Sequence, residues 1–524
     1  MGYGRAHLKP AALLCTSGTA VANYFPAIVE AHESHIPLIV ITADRPPELQ
    51  QCMANQTIDQ IKIFGDYVHF FFSIPCPDKL IAPEALLTTV DQAVLSATAL
   101  PRGPVHLNCH FREPLDPRDT GEDFSNYLTS LHRWQNSSEP YTHGILSPAM
   151  PAEVALNAME QRLHDADSGL LIIGQLDMPE ERIAARALVA ASPWPVFADI
   201  TSGLRLGPGG PSLIHHYDEA LLVDQTAFDC VLHVGGRLTS KRLQMHLKAI
   251  RPAAYYLIQD HAFRQDPEHL VSHRIVADIV LTCRALALRF SNRPTHPSVA
   301  RWKEISNLIA KQLEQHAREH YSEMSVAHQI SELIPQGHGL YLAASLAVRH
   351  LEMFGSRTGN SVAVCANRGA SGIDGTIAAA SGYALGLQRP VTLLIGDLAL
   401  LHDVNSLALL RRSPYPITVV VVNNDGGAIF SFLPIAQFDQ IFVDYWETPH
   451  GLTFPAAAAL FQIPYEAPTT AREFQDIYQT ATQSGRSSVI EVASNCAENF
   501  QKNRQLQETI KKELEYMFTG YGTA

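Results

Sequence analysis

Two stretches decide the fold. The first is Val391-Thr392-Leu393-Leu394-Ile395-Gly396-Asp397-Leu398. The second is Ile417-Thr418-Val419-Val420-Val421-Val422-Asn423-Asn424-Asp425-Gly426-Gly427. Each opens as a short, β-branched apolar run, the pattern of a strand buried on both faces of a parallel sheet. Each ends on oxygen-bearing side chains. Residues 399 through 422, 24 positions, separate the two ends. A carboxylate and an amide oxygen leaving adjacent strand ends can meet on one hard cation. Mg2+ takes oxygen ligands, often one carboxylate plus substrate phosphates. Gly396 permits a tight turn, and Gly426-Gly427 lets backbone approach a phosphate. Taken singly, Asp397 reads as a helix N-cap and Asn423 to Gly426 as an ordinary loop. Taken together, at two strand ends, they read as a site for a metal and a phosphate.

Working outward, strand-like runs alternate with helical stretches along the whole chain, the pattern of parallel α/β. A first block has strands at Ala11–Cys15, Pro37–Thr42 and Pro104–Cys109. A polar tract rich in Pro, Ser and Asp runs from Pro114 to Pro151. A second block has strands at Gly169–Ile173, Pro195–Ala198, Cys230–Val234, Ala254–Ile258 and Ile279–Thr282. A helix over Val299–Ser322 leads into a third block, with strands at Gly339–Ala343, Ser361–Cys365, Val391–Ile395, Ile417–Val422 and Ser488–Val492. An amphipathic helix over Lys502–Met517 closes the chain. The expected domains are residues 1–125, 151–296 and 297–524, with a linker at 126–150. Their informative residues should follow the strands, where open α/β sheets bind ligands.

Composition bounds the function. The 524 residues are 46% hydrophobic and 17% charged, suited to a large core and too apolar for disorder. Lys and Arg total 39 against 52 Asp and Glu, a net charge of -13, which argues against nucleic acid as partner. An anionic ligand must therefore meet a local cluster of Arg and Lys. No apolar run reaches the ~20 residues of a membrane span. The start resembles a signal peptide in Arg5, Lys9 and Ala11–Cys15, but Thr16-Ser17-Gly18-Thr19 breaks the apolar run at once. The eight cysteines are scattered without a CxxC pair, as in a reduced cytoplasmic protein.

Three further segments carry a resemblance. They are Thr16-Ser17-Gly18-Thr19-Ala20-Val21-Ala22-Asn23; Thr42-Ala43-Asp44-Arg45-Pro46-Pro47-Glu48-Leu49 with Ala54-Asn55-Gln56; and Asn367-Arg368-Gly369-Ala370-Ser371-Gly372-Ile373-Asp374-Gly375. With Gly396-Asp397-Leu398 and Asn423 to Phe430, they closely resemble the 2-succinyl-5-enolpyruvyl-6-hydroxy-3-cyclohexene-1-carboxylate synthase (MenD) family of thiamine-diphosphate enzymes. Most of that superfamily has Gly after the Asp, and Leu398 points to this subfamily. The resemblance runs from about Gly2 to the end. It implies an α/β fold of three tandem parallel-sheet domains of the thiamine-diphosphate-enzyme type: pyrimidine-binding, central and diphosphate-binding.

The resemblance also implies a transferase of menaquinone biosynthesis, with 2-oxoglutarate decarboxylated and its succinyl remainder added to isochorismate. The implied cofactors are thiamine diphosphate and Mg2+ or Mn2+, the metal held by Asp397, Asn424 and the Gly426 carbonyl. Gly396, Leu398 and Gly427 complete that motif. Arg45, Asn55, Gln56, Lys241, Arg242, Ser345, Arg349 and Arg368 are implied in the substrate pocket, where Arg suits bidentate carboxylate binding. Ile373 is implied as the prop under the bent cofactor, and Ile429, Phe430 and Leu433 as an apolar wall against water. Bland readings stand beside these. Arg45 also suits a strand-end cap, Lys241 and Arg242 a solvated helix face, Arg349 a surface site and Ile373 core packing. The family active site forms between subunits, so a homodimer is the expected minimum, with a homotetramer open.

The family activates its cofactor with a glutamate just before the Thr-Ser-Gly-Thr strand and its preceding helix. Met1 to His7 matches the end of that helix, and the first acidic residue is Glu30. The expectation is therefore that this glutamate lies upstream of Met1 and that the first domain is incomplete at its start. Two alternatives stay open: another carboligase or decarboxylase resembling acetolactate synthase, and a non-catalytic homologue lacking the glutamate.

Overall fold

The computed structural model describes residues 1–116, 118–119 and 121–521. Its strands form three sheets, and every strand pairing is parallel. By contact density the chain divides into two compact units, the first holding residues 3–147 with Arg368–Ala370, the second essentially the rest.

The first unit is built on β1 (Ala11–Cys15), β2 (Leu38–Asp44), β3 (Phe71–Ile74) and β4 (Pro104–His110), in the order β1-β2-β4-β3. Val21, Ile28 and Ala31 pack with Leu38, Val40 and Phe64. Ala93 and Ala97 of the helix Pro83–Thr98 pack with Val105 and Leu107. Strand β3 was not foreseen. It is a four-residue edge strand beside β4. The expected linker begins with short helical turns, Ser125–Leu128, Thr129–Leu131 and His132–Gln135.

In the second unit the central sheet comprises β5 (Gly169–Ile173), β6 (Val196–Ala198), β7 (Cys230–Val234), β8 (Ala254–Gln259) and β9 (His273–Val276), in the order β6-β5-β7-β8-β9. The expected strand at Ile279–Thr282 is instead the first turn of a helix, Ile279–Phe290. Its apolar run suits either element. Asp278 decides, because its side chain caps the Leu281 N–H at 2.8 Å. The sheet's edge is the preceding segment, β9.

The remaining sheet comprises β10 (Gly339–Leu342), β11 (Ala363–Ala366), β12 (Val391–Gly396), β13 (Ile417–Asn423), β14 (Tyr465–Glu466) and β15 (Ser488–Ala493), in the order β11-β10-β12-β13-β15-β14. Strand order reverses between β10 and β12, the position where open α/β sheets leave a crevice at their carboxyl ends.

One packing differs from expectation. The helix Ser298–Glu319, expected to belong to the third block, lays Trp302, Ile305, Ile309 and Leu313 in a core with Leu170, Ile172, Phe197 and Val231 of the central sheet. Leu506, Ile510 and Leu514 of the final helix join the same core. Both helices carry apolar stripes at helical spacing, and the central sheet offers them a continuous apolar face. Among the described residues no helix is long and apolar enough to cross a membrane, and the eight cysteines are free thiols.

Candidate active site

Strands β12 and β13 are direct neighbours in register, with Gly396 opposite Val422. Asp397 and Asn424 therefore emerge side by side at the carboxyl edge. Asp397 Oδ1 accepts the Leu398 N–H at 2.7 Å, and Oδ2 accepts the Gly426 N–H at 2.9 Å. His450 Nε2 lies 3.2 Å from Oδ2. The Leu452 N–H donates to His450 Nδ1 at 2.9 Å, so Nε2 carries the ring proton and donates to Asp397. This leaves Oδ2 with two donors and Oδ1 with one. Burial pushes the Asp397 carboxyl above the usual range.

Asn424 is buried, and its Nδ2 donates to Glu323 Oε1 at 3.0 Å. Its Oδ1 is out of solvent and receives no donor among the described residues. An orphaned amide oxygen beside a desolvated carboxylate is what a hard cation would complete, so the residues fit Mg2+ or Mn2+. Among the described residues no group of three or more His, Cys, Asp or Glu suits a metal ion. The candidate donors here are mixed: the Asp397 carboxylate, the Asn424 amide oxygen and the Gly426 carbonyl.

The glycines of the motif divide. Gly426 has φ 141°, and a Cβ there would stand 2.0 Å from the Glu447 carbonyl oxygen. Gly427 is just as tight, 2.3 Å from the Trp446 carbonyl oxygen. Both are needed because the segment 446–447 crosses over them. Gly396 corrects the expected tight turn: it is extended, with φ -83° and ψ 161°, and nothing lies within 4 Å of its Cβ position.

In the first unit, Arg45 leaves the end of β2. Its Nε lies 3.4 Å from the Asn55 carbonyl oxygen. Gln56, at φ 57°, donates to Thr16 Oγ1 and to the Ser17 carbonyl oxygen, each at 3.0 Å. Arg45, Asn55, Gln56 and the Thr-Ser-Gly-Thr loop therefore form one cluster. A fully buried Gln60 holds it: Gly18 N–H donates to its Oε1 at 2.9 Å, and its Nε2 donates to Asn108 Oδ1 at 2.8 Å. Asp44 accepts the Arg45 N–H at 2.7 Å and Asn108 Nδ2 at 2.8 Å. A groove of about 530 Å³ opens between residues 47–61 and His110. Arg368 joins this unit through its neighbours. Glu30 Oε1 accepts the Gly369 N–H at 2.8 Å and Oε2 the Ala370 N–H at 2.7 Å. Ser34 Oγ adds a third donor at 2.7 Å.

The other expected residues lie in the second unit. Ser345 has φ 67° and ψ -132°, a strained backbone for a residue with a side chain. Its carbonyl oxygen accepts Arg349 Nη1 at 2.6 Å, one helical turn on. Lys241 is exposed at the start of the helix Lys241–Ile250, which Ser240 caps. Arg242 beside it turns inward: Nη1 lies 2.6 Å from Asp218 Oδ1 and 3.4 Å from Glu219 Oε1. Its charge is matched within the central domain. Ile373 is half-buried just before the helix Thr376–Leu387. Phe430 packs edge-on against Trp446 at 5.0 Å between ring centroids, Ile429 is half-buried and Leu433 exposed.

Three participants were not foreseen from sequence, Glu30, Glu323 and His450, while Asp403, which suits a helix cap on sequence alone, caps a helix other than its own. Asp403 Oδ2 accepts the Ile377 N–H at 2.7 Å and the Ala378 N–H at 3.0 Å, so it caps the helix that follows Ile373 from another element. Each acts on a distant stretch of chain, and no local spacing betrays it.

Three family models and several named proteins match most of the chain. Residues 1–63 match the family model "Thiamine pyrophosphate enzyme, N-terminal TPP binding domain". Residues 125–342 match "Middle domain of thiamine pyrophosphate", and residues 347–492 match "Thiamine pyrophosphate enzyme, C-terminal TPP binding domain". A 2-succinyl-5-enolpyruvyl-6-hydroxy-3-cyclohexene-1-carboxylate synthase of Rubrobacter xylanophilus is 45% identical over 513 residues, covering 97% of this chain and 88% of that protein. Proteins of the same name from Prosthecochloris aestuarii and Salinibacter ruber are each 40% identical, covering 98% of this chain and 88% of theirs. Among solved structures, a putative thiamin diphosphate-dependent enzyme from Mycobacterium smegmatis superposes with a TM-score of 0.66 at 18% identity. The match covers 94% of this chain and 89% of that one, a likeness of fold.

Proposed function

The chain belongs to the 2-succinyl-5-enolpyruvyl-6-hydroxy-3-cyclohexene-1-carboxylate synthase family of thiamine-diphosphate enzymes, and from that premise we infer its reaction. It is a transferase of menaquinone biosynthesis that decarboxylates 2-oxoglutarate and joins the succinyl remainder to isochorismate. The observation that carries this reading is the pair Asp397 and Asn424 on adjacent strand ends, with Asn424 Oδ1 buried and unsatisfied.

In this reading Asp397, Asn424 and the Gly426 carbonyl would hold Mg2+ or Mn2+, which would supply positive charge for the diphosphate. Thiamine diphosphate supplies the nucleophilic carbon and the electron sink for loss of CO2. The protein supplies charge and position. Both substrates are dianions, and Arg45, Arg368, Arg349 and Lys241 are the cations assigned to their carboxylates, with Asn55, Gln56 and Ser345 as polar partners. Arg242 serves indirectly, because its pairing with Asp218 and Glu219 anchors the helix start that presents Lys241. Ile373 supports the cofactor on a loop whose following helix Asp403 caps. Ile429, Phe430 and Leu433 exclude water, so that carbon–carbon bond formation outruns protonation. The assembly is a homodimer or a homotetramer, and the location cytoplasmic.

The test compares CO2 release from 2-oxoglutarate and from pyruvate with thiamine diphosphate and Mg2+ present. Preference for 2-oxoglutarate, with product formed only when isochorismate is added, is the expected result. Preferential turnover of pyruvate would sink the assignment.

A further inference from the structure

An asparagine offers a metal two unlike ends. The amide oxygen binds a cation, and the NH2 group repels it. Nothing in the Asn424 side chain itself selects between them. The selection comes from Glu323, the first residue of the helix Glu323–Leu333. Its carboxylate is buried, and Oε1 accepts Asn424 Nδ2 at 3.0 Å. Ser494 also bonds the carboxylate, and His350 Nδ1 lies 3.7 Å from Oε2. The Glu323 carboxylate is thus held against Asn424, in a buried place away from water.

We propose that Glu323 is the positioning residue that decides which end of the Asn424 amide faces the cation. With Glu323 present, the NH2 end is tied back and Oδ1 is left buried without a donor, as observed. Such an oxygen is destabilising when nothing satisfies it. The cation recovers that cost, so Glu323 stores part of the metal affinity as an unmet acceptor. The inference rests on the metal reading of Asp397 and Asn424.

The test is titration of the full chain with Mg2+ in the presence of thiamine diphosphate, by calorimetry, with Mn2+ electron spin resonance as a second readout. The wild-type titration is read first: no metal uptake there refutes the thiamine-diphosphate reading together with this one. Glu323→Ala should weaken metal affinity at least about tenfold, the usual size of an effect on the partner of a metal ligand. Glu323→Gln keeps an acceptor oxygen toward Asn424 and should weaken it less. Asn424→Asp sets two carboxylates against each other and should bind metal poorly. The double variant Glu323→Gln with Asn424→Asp restores a donor–acceptor pair in reverse, and should bind more tightly than Asn424→Asp alone. A merely structural role for Glu323 gives no such rescue. Unchanged affinity in a folded Glu323→Ala protein overturns the proposal. Should that variant fail to fold, absence of rescue in the double variant overturns it.

Discussion

Glu30 and Gly369 lie 339 residues apart in sequence, yet the Gly369 N–H stands 2.8 Å from Glu30 Oε1. With the Ala370 N–H on Oε2, the carboxylate receives two successive backbone donors and fixes the peptide next to Arg368. Glu30→Ala takes the acceptor from two part-buried N–H groups, and should cost about 1–2 kcal/mol in urea unfolding. Glu30→Gln keeps one acceptor and should cost about half as much. If Arg368 binds a substrate carboxylate, the KM for that substrate rises in both variants. Equal urea midpoints for wild type and Glu30→Ala would show that the clamp contributes nothing.

Gly426 and Gly396 should respond oppositely to alanine. At Gly426 the added Cβ meets the Glu447 carbonyl oxygen at 2.0 Å, at a φ of 141°. Backbone must move, so Gly426→Ala should destabilise by more than about 2 kcal/mol and abolish metal uptake. Gly396 is extended with open space at its Cβ. Gly396→Ala should change stability by no more than about 0.5 kcal/mol. The paired denaturation curves check both, and equal losses at the two positions would contradict the geometry.

Asp403→Ala removes two capping bonds from the helix Thr376–Leu387. It should lower stability by about 2 kcal/mol. Because Ile373 sits just ahead of the capped turn, affinity for thiamine diphosphate should fall with it. Asp403→Asn retains an acceptor oxygen and should show a smaller loss on both readouts. A stability loss with unchanged cofactor affinity would separate the cap from the Ile373 loop.

Buried histidines set the acid limit of stability. Burial holds His106, His215, His233, His316 and His350 down to about 4, against an ordinary value near 6.5. Between those values the unfolded chain binds protons that the native protein refuses. The histidines' share of stability is therefore full above pH 6.5 and falls as pH drops from 6.5 toward 4, by up to about 3 kcal/mol for each, against the opposite slope of Glu181, Glu219 and Glu323, whose carboxyls burial holds up at about 7. His233 offers a clean probe, with Nε2 donating to the Gly236 carbonyl oxygen at 3.1 Å and Nδ1 accepting from the Tyr255 hydroxyl at 3.0 Å. His233→Gln should flatten the loss of melting temperature between pH 6.5 and 4.5. A slope identical to wild type would refute this account.

The sheet architecture was largely legible because strands such as β12 and β13 are buried on both faces, and such strands are continuous apolar runs. Ile279–Thr282 has the same composition and became a helix, because one capping carboxylate outweighed an ambiguous pattern. The short edge strands β3, β9 and β14 were missed, being too short for alternation to show. Within the site, the groups that follow strands directly, such as Asp397 and Asn424, stand in a recognisable spacing. Glu323 is 101 residues from Asn424 and does its work through the fold alone. Arg242 looked like a companion of Lys241, yet helical geometry turns adjacent side chains about 100° apart, and only tertiary contact tells which one turns inward.

The packing of the last helix on the central sheet bears on the order in which the chain becomes a protein during synthesis. The core built by Phe197, Trp302 and Ile309 also needs Leu506, Ile510 and Leu514. A chain leaving the ribosome makes the central strands early, then the whole of the β10–β15 sheet, before those three residues arrive. The middle of the sequence is therefore the last part to be sealed, and its apolar face waits on the tail of the nascent chain.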